Sequence, residues 1–113
     1  MPSEPGVRLT VRDRLGETVI VAVAGDLTRE GRPGRLRSAI AGFLDDNQVR
    51  RIRIDLSEAT AIDLQGVGAL LTLRRESDRH GKVLAIDHPS PPVRSRLEET
   101  GTLDYLGGAL GGG

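Results

Sequence analysis

Few side chains in this sequence are of the types that carry catalysis or bind metal ions. The two histidines, His80 and His88, lie in different predicted elements, and no HxxxH or HExxH spacing occurs. Because a single histidine is a weak indication of a metal site or a general base, we assign His80 to a helix end and His88 to a loop before Pro89. Cysteine is absent, which excludes a thiolate nucleophile and a cysteine-based metal site. We therefore expect no metal and no cofactor.

A carboxylate pair and a short glycine-containing segment are the remaining candidates for chemistry. Asp55 ends a predicted strand and Asp63 precedes a predicted helix, where aspartate caps exposed backbone amides. The segment 66–68 (GVG) lacks the third glycine of a dinucleotide fingerprint, and no GxxxxGK[ST] motif occurs. Since no nucleophile, base or metal cluster converges, the sequence predicts that the protein is not an enzyme. A nucleotide hydrolase is the alternative from a different functional class.

The composition is balanced in charge and poor in aromatic residues. Sixteen basic residues match sixteen acidic ones, so no net positive field would attract nucleic acid or an anionic membrane. Phe43 and Tyr105 are the only aromatic residues, too few for a base-stacking platform. No run of about eighteen apolar residues occurs, and the first residues do not resemble a signal peptide. We predict neither a nucleic-acid partner nor membrane insertion, and a cytoplasmic location.

The hydrophobic pattern predicts the elements that would position these residues. Alternating and β-branched runs predict strands over 7–11, 18–24, 51–56 and 83–86, the first two forming a hairpin. Helical spacing predicts helices over about 32–47, 66–80 and 91–101, followed by a short element over 103–106. Strands that alternate with helices after a hairpin predict an α/β fold with one mixed β-sheet flanked by α-helices.

The length of 113 residues predicts a single domain over residues 1–113, with a folded core over about 7–106. Residues 2–6 and 107–113 are rich in proline and glycine, and we predict no regular structure for them. Basic clusters such as Arg50-Arg51 and Arg74-Arg75 are interpreted as solvated faces, with partner recognition as the alternative.

The most specific stretch is residues 54–71, IDLSEATAIDLQGVGALL. A buried strand crosses a short loop into a helix that Asp63 caps, with Gly66 and Gly68 in its first turn. Small residues at this place predict a flat, approachable surface at the helix N-terminus. The stretch resembles the signature of STAS domains, in which a strand ending in D-L-S leads to I-D-S-x-G-x-G. The matching residues are Asp55, Leu56, Ser57, Ile62, Asp63, Gly66 and Gly68.

Two further stretches resemble the same family, in the same order along the chain. Residues 25–28 (GDLT) are similar to its G-E-[IL]-D, and residues 99–103 (ETGTL) are similar to its S-G-L-x-x. The resemblance implies a STAS-like mixed sheet and an anti-sigma factor antagonist, a bacterial transcription regulator that sequesters an anti-sigma factor, often a serine kinase. It implies a partner-binding site made of Asp26, Leu27, Thr28, Asp63, Leu64, Gln65, Gly66 and Gly68.

The chain departs from the family at the position that regulates binding. In the family, the kinase switches binding off by phosphorylating the serine directly after the motif aspartate. Here that position is Leu64, followed by Gln65, and Thr28 replaces the second acidic residue of the other loop. Ser57 and Thr60 precede the aspartate and are interpreted as turn residues. The resemblance thus implies an antagonist without the usual phosphorylation control; the alternative is a STAS subunit of a larger assembly, such as an ABC lipid transporter or a stress-signalling complex.

Overall fold

The computed structural model describes residues 7–28 and 34–111. Its elements are, in order, β1 (Val7–Leu15), β2 (Thr18–Leu27), α1 (Gly34–Leu44), β3 (Arg51–Ile62), α2 (Leu64–Arg79), β4 (Val83–Asp87), α3 (Pro91–Glu99) and α4 (Leu103–Gly111). Within these ranges the strands form one sheet of order β1-β2-β3-β4. The hairpin of β1 and β2 is antiparallel, whereas β3 runs parallel to both β2 and β4. The predicted mixed sheet with an opening hairpin is confirmed.

The core lies against one face of this sheet. Strand register places Val19, Ile52 and Leu84 in one row of that face, and Val21, Ile54 and Ile86 in the next. All six side chains are buried, and buried leucine and isoleucine side chains of the four helices complete the cluster: Leu36 and Ile40 of α1, Leu70 and Leu73 of α2, Leu97 of α3 and Leu106 of α4. The buried side chains of the core are aliphatic, and the partly buried Phe43 ring packs against them. Burial of this apolar surface is the main force that holds the helices on the sheet.

The opposite face of the sheet is more polar. Arg53 and Asp87 lie on neighbouring strands there, and the Arg53 Nε and Nη2 groups donate hydrogen bonds of 2.7 and 2.9 Å to the Asp87 carboxylate. This bidentate pairing raises the pKa of Arg53 through the hydrogen bond from its guanidinium to Asp87. The two faces of β3 and β4 are therefore distinguished by charge, which fixes the register of this strand pair.

β3 is longer than the sequence predicted. The predicted strand over 51–56, followed by a short connection, is wrong because the strand continues to Ile62. Its second half pairs with the end of β2, where Leu27 lies opposite Ile62. On its other side β4 has already ended, and Ser90 takes over: its amide donates to the Leu56 carbonyl at 3.1 Å and its hydroxyl to the Ala59 carbonyl at 2.6 Å. These partners satisfy backbone groups that would otherwise be unpaired.

The helix boundaries also differ from the predicted ones. α1 begins at Gly34 and ends at Leu44, α2 begins at Leu64, and α4 continues to Gly111. The prediction of irregular structure is wrong for residues 107–111, whereas residues 2–6, 29–33 and 112–113 lie outside the described part. Leu106 is fully buried, and a Cβ on Gly107 would lie 3.9 Å from Ile86. Packing on β4 therefore holds a helix that glycine alone would disfavour.

Candidate protein-docking site

The two segments predicted to bind a partner lie side by side in the structure. β2 and β3 are parallel neighbours, so their carboxyl ends meet at the same edge of the sheet. The segment 26–28 lies at the end of β2, and the segment 63–68 begins directly after β3. The sheet therefore brings together residues that are separated by more than thirty positions in the sequence, and we call residues 26–28 and 63–68 the docking site.

The β2 side of the docking site is the irregular end of that strand. Gly25 has a φ of 99°, which favours glycine, and the register shifts between Gly25 and Asp26. Asp26 Oδ1 accepts a hydrogen bond of 2.8 Å from the Thr28 amide, so the carboxylate stabilises the backbone where the strand ends. Leu27 is 0% exposed and belongs to the core. Its assignment as a partner contact must be corrected, because its side chain faces the interior and only its neighbours Asp26 and Thr28 are partly exposed.

Asp63 is the single residue between β3 and α2. It has an extended backbone, with φ −121° and ψ −171°, and its Oδ1 accepts a hydrogen bond of 3.0 Å from the Gly66 amide. Its carbonyl accepts the Val67 amide at 3.0 Å. The carboxylate thus caps the helix as predicted, and it also lies near the positive end of the helix dipole. This cap lets the chain pass from strand to helix in one residue.

The two glycines of the motif have different functions. A Cβ on Gly66 would lie 2.0 Å from the Leu27 carbonyl oxygen and 2.7 Å from Ile62 Cγ1. Gly66 is therefore buried and allows the first turn of α2 to pack directly on the end of β2. A Cβ on Gly68 would meet no atom within 4 Å. The predicted approachable surface is correct for Gly68 and wrong for Gly66, whose backbone is covered by its own fold.

Leu64 is the first residue of α2 and is directed to solvent. Its exposure of 67% is the highest of the large hydrophobic side chains in the described residues. Gln65 beside it is also exposed. The core gains nothing from a leucine at this place, because its side chain remains in water. The docking site therefore presents to solvent the apolar side chain of Leu64, the side-chain amide of Gln65 and the uncovered helix backbone at Gly68.

The residues considered for catalysis lie apart from one another. His80 caps the C-terminus of α2, with Nδ1 2.8 Å from the Glu76 carbonyl, and His88 is exposed in a bend after β4. Asp55 is buried inside β3 rather than at a strand end, and its Oδ1 accepts the Ser57 amide at 2.9 Å. Across residues 7–28 and 34–111, no three histidine, aspartate or glutamate side chains form a cluster that could hold a metal ion.

Ser90 is a positioning residue that the sequence pattern did not indicate. The Ser90 hydroxyl binds the Ala59 carbonyl and thereby fixes the part of β3 that leads into the docking site. Serine directly before Pro91-Pro92 is a signal for a helix N-cap. The hydroxyl makes no capping hydrogen bond, however, and binds the neighbouring strand instead. The local sequence therefore indicated a helix cap at Ser90. Its hydrogen bond to a strand distant in sequence was not predictable from that local pattern.

Comparisons with known proteins agree on a fold and a family. The family described as "Mlab, STAS domain" matches residues 10–107. No curated protein matches the chain. The solved structure of the anti-sigma factor antagonist SpoIIAA in its unphosphorylated form is 25% identical, with a TM-score of 0.69 over 89% of this chain and 84% of that one.

Two other solved structures share the fold at lower sequence identity. An anti-sigma factor antagonist from Mycobacterium paratuberculosis is 21% identical, with a TM-score of 0.72 over 95% of this chain and 87% of that one. The murine solute carrier 26 family member A9, an anion transporter, is 17% identical with a TM-score of 0.70; the match covers 88% of this chain and 19% of the transporter. No helix in the described part of this chain is long and apolar enough to cross a bilayer.

Proposed function

This chain belongs to the STAS domain family, and on that basis we propose that it is an anti-sigma factor antagonist that sequesters an anti-sigma factor at the docking site. Similarity to SpoIIAA over most of both chains supports this function. So does the agreement of the motif around Asp63 with the family signature. The protein would act in the bacterial cytoplasm as a regulator of transcription, by binding a protein and without catalysis or a bound cofactor.

The observation that carries this proposal is the exposed Leu64 beside the open turn at Gly68. A leucine that is 67% exposed in the free protein loses water contact when a partner covers it. Complete burial of such a side chain contributes roughly 1.5 to 3 kcal/mol. Gly68 allows a partner side chain to approach the helix backbone next to it. A protein surface with an apolar pocket is the ligand that this arrangement fits.

The docking site carries no phosphate acceptor in its helical part. Residues 63–68 are aspartate, leucine, glutamine, glycine, valine and glycine, and none has a hydroxyl group. We propose that the protein is always in its binding-competent form and that its abundance, or another partner, controls its activity.

A second candidate function is that of a STAS subunit in a larger assembly. The family description names Mlab, and the same fold forms a part of an anion transporter. A transporter ATPase or a stress-signalling complex would then occupy the docking site. The identity of the protein that copurifies with this chain separates the two functions.

The test is to recover the partner and measure the effect of Leu64→Asp on its binding. Affinity capture from the source bacterium, followed by mass spectrometry, identifies the partner, which is then purified and titrated. The new carboxylate must be desolvated at the interface, so we expect a loss of about 1 to 3 kcal/mol in binding. The fold should survive, since a negative charge in the first turn of a helix is favourable by about 0.3 to 1 kcal/mol.

Leu15→Asp is the matched control, because Leu15 is 60% exposed in the hairpin at the opposite end of the sheet. It should melt and bind like the wild type. Unchanged affinity in a folded Leu64→Asp variant would show that the start of α2 is not the docking face. Recovery of a transporter subunit in place of an anti-sigma factor would favour the second candidate function.

A further inference from the structure

The solvent face of α2 continues beyond the docking site as an ordered row of side chains. Leu64, Gly68, Arg75 and Arg79 follow one another at steps of four or seven residues, so the helical period places them on one face. The same period places Leu71 between Gly68 and Arg75, where it is half-buried and packs against the core. The core side of the helix is formed by other residues, among them Leu70, Leu73 and Ser77. The row runs for about 22 Å at 1.5 Å per residue. We call these four residues the α2 ridge.

The two halves of the α2 ridge differ in chemistry. The N-terminal half presents Leu64 and the open backbone at Gly68. The C-terminal half presents Arg75 and Arg79, both of them exposed. A partner that covers the whole ridge would therefore meet an apolar side chain first and two positive charges one to two helical turns farther along.

The acidic side chains of α2 form their close ion pairs with arginines outside the ridge. Arg74, next to Arg75, contacts Asp78 at 3.6 Å and stacks 4.5 Å from the centre of the Tyr105 ring. Glu76 binds Arg37 of α1 through two hydrogen bonds. Neither Arg75 nor Arg79 forms a close ion pair within the described residues, although the charge of Arg79, after the hydrogen bond from Arg37, helps to lower the pKa of Glu76.

The helix dipole explains why a cation is favourable at only one of these two positions. Its attraction for cations is confined to the last turn of a helix, and the basic residue in the last turn of α2 is Arg79. Arg75 lies one turn earlier. A net charge of zero for the whole chain also argues against a general positive field. Two exposed arginines that form no close ion pair within the described residues are aligned with an exposed leucine, and this arrangement indicates a specific complementary surface.

We infer that the α2 ridge is a two-part interface, whose partner is a protein that receives Leu64 in an apolar pocket and places acidic side chains opposite Arg75 and Arg79. This inference rests on the proposed docking function and specifies the chemistry of the partner. Leu64 supplies apolar burial, and the arginines orient the partner along the helix axis and speed its association.

The experiment compares charge-reversed variants in titrations with the protein that copurifies with the wild-type chain. Arg75→Glu combined with Arg79→Glu should weaken binding on the order of tenfold, mainly through slower association. The matched control is Arg8→Glu combined with Arg51→Glu, which changes the net charge equally at two exposed residues on the sheet face away from the helices. Thermal melting of both variants verifies that they fold.

Salt provides the second measurement. Raising sodium chloride from about 50 mM to about 500 mM should weaken binding of the wild type and of the control variant, because it screens exposed charges. The Arg75→Glu and Arg79→Glu variant should lose this salt dependence or reverse it. A purely apolar interface would show the same salt response in all three proteins.

The outcomes separate this inference from the proposed function. If Leu64→Asp weakens binding but the variant with Arg75→Glu and Arg79→Glu binds like its control, the inference is wrong and the proposed docking site is retained. Equal weakening by both charge-reversed variants would also overturn it, since bulk charge would be the cause. Recovery of a nucleic acid, or of a second copy of this chain, as the only ligand would overturn the inference. If nothing is recovered, both the inference and the proposed function fail.

Discussion

Gly66 is tightly packed and Gly68 adjoins open space, so alanine should have opposite effects on stability at the two positions. Gly66→Ala would place a methyl group 2.0 Å from the Leu27 carbonyl oxygen, a backbone atom that cannot move aside without shifting β2. We expect this variant to lose roughly 1 to 3 kcal/mol of unfolding free energy or more. Gly68→Ala meets open space in a helix, where alanine is favoured, and should gain about 0.5 to 1 kcal/mol.

Chemical denaturation of the two glycine variants beside the wild type measures this contrast. Both substitutions add one methyl group to the same helical turn, so each is the control for the other. Equal stabilities would show that α2 does not pack on the end of β2 as described. In binding titrations, Gly68→Ala should weaken association although it stabilises the fold, because its methyl group occupies the uncovered turn of the docking site.

Much of the residue-scale chemistry was predictable, because it depends on local sequence. Asp63 was expected to cap a helix, and its carboxylate accepts the Gly66 amide. The different functions of Gly66 and Gly68 were not predictable, because the decisive contact is with the carbonyl of Leu27 on another strand. The burial of Leu27 was missed for the same reason. A motif specifies which residue types recur, but tertiary packing determines which of them remain accessible.

At the scale of elements, the loops at the end of the sheet farthest from the docking site are joined by one buried cation. Lys82 precedes β4, and its Nζ donates hydrogen bonds of 2.7 and 2.5 Å to the carbonyls of Asp46 and Val49 in the α1–β3 loop. Lys82→Met keeps the apolar stem and removes both donors. We expect a loss of about 1 to 3 kcal/mol in unfolding free energy, the scale for a buried polar group left without a partner.

Arg51→Met is the control for Lys82→Met, since Arg51 is an exposed cation at the start of β3. Its stability should stay within about 0.5 kcal/mol of the wild type, as is usual for a surface substitution. If the two methionine variants unfold at the same denaturant concentration, the lysine does not hold these loops together.

The contact between α1 and α2 should depend on pH. The hydrogen bonds from Arg37 to Glu76 lower the pKa of Glu76 below its ordinary value of 4.5. Because the folded-state pKa is depressed, the stabilisation is present above the unfolded pKa and is lost as the pH falls through the folded pKa. The stability difference between wild type and Glu76→Gln should therefore persist at neutral pH and disappear in acid. A difference that does not change with pH would contradict an ionic contact.

The length of β3 shows why element boundaries were harder to predict than element types. Residues 57–62 include glutamate, alanine and threonine without a clean alternation, so local pattern indicated a connection. The strand continues because the end of β2 pairs with it on one side and Ser90 binds it on the other. Both partners are distant in sequence. The extension matters for the docking site, because it carries Asp63 to the level of Asp26.

For the molecule as a whole, the sequence predicted the architecture because periodicity and composition constrain it strongly. Alternating and β-branched runs predicted the strands, helical spacing predicted the helices, and their order along the chain predicted the mixed sheet. The extension of the C-terminal element to Gly111 was missed, since its glycines are poor helix formers and α4 is stabilised by packing that buries Leu106 and brings Gly107 close to Ile86. Global packing overrode local propensity there.

For the whole protein, we expect that phosphate does not control binding at the helical part of the docking site. Because residues 63–68 contain no hydroxyl group, peptide mapping by mass spectrometry of the protein from its own cells should find no phosphate in this segment. Leu64→Ser would place a hydroxyl at the exposed first position of α2, where a phosphate would be favoured by the free amides and the helix dipole. If the partner is a serine kinase, this variant should become phosphorylated with ATP and bind more weakly, while Leu64→Ala should bind without modification.

Stoichiometric phosphate on Thr28, Ser57 or Thr60 of the wild type would contradict constitutive binding. A Leu64→Ser variant that binds but never accepts phosphate would show that the partner is not a kinase, and would assign the site to an assembly that phosphate does not control.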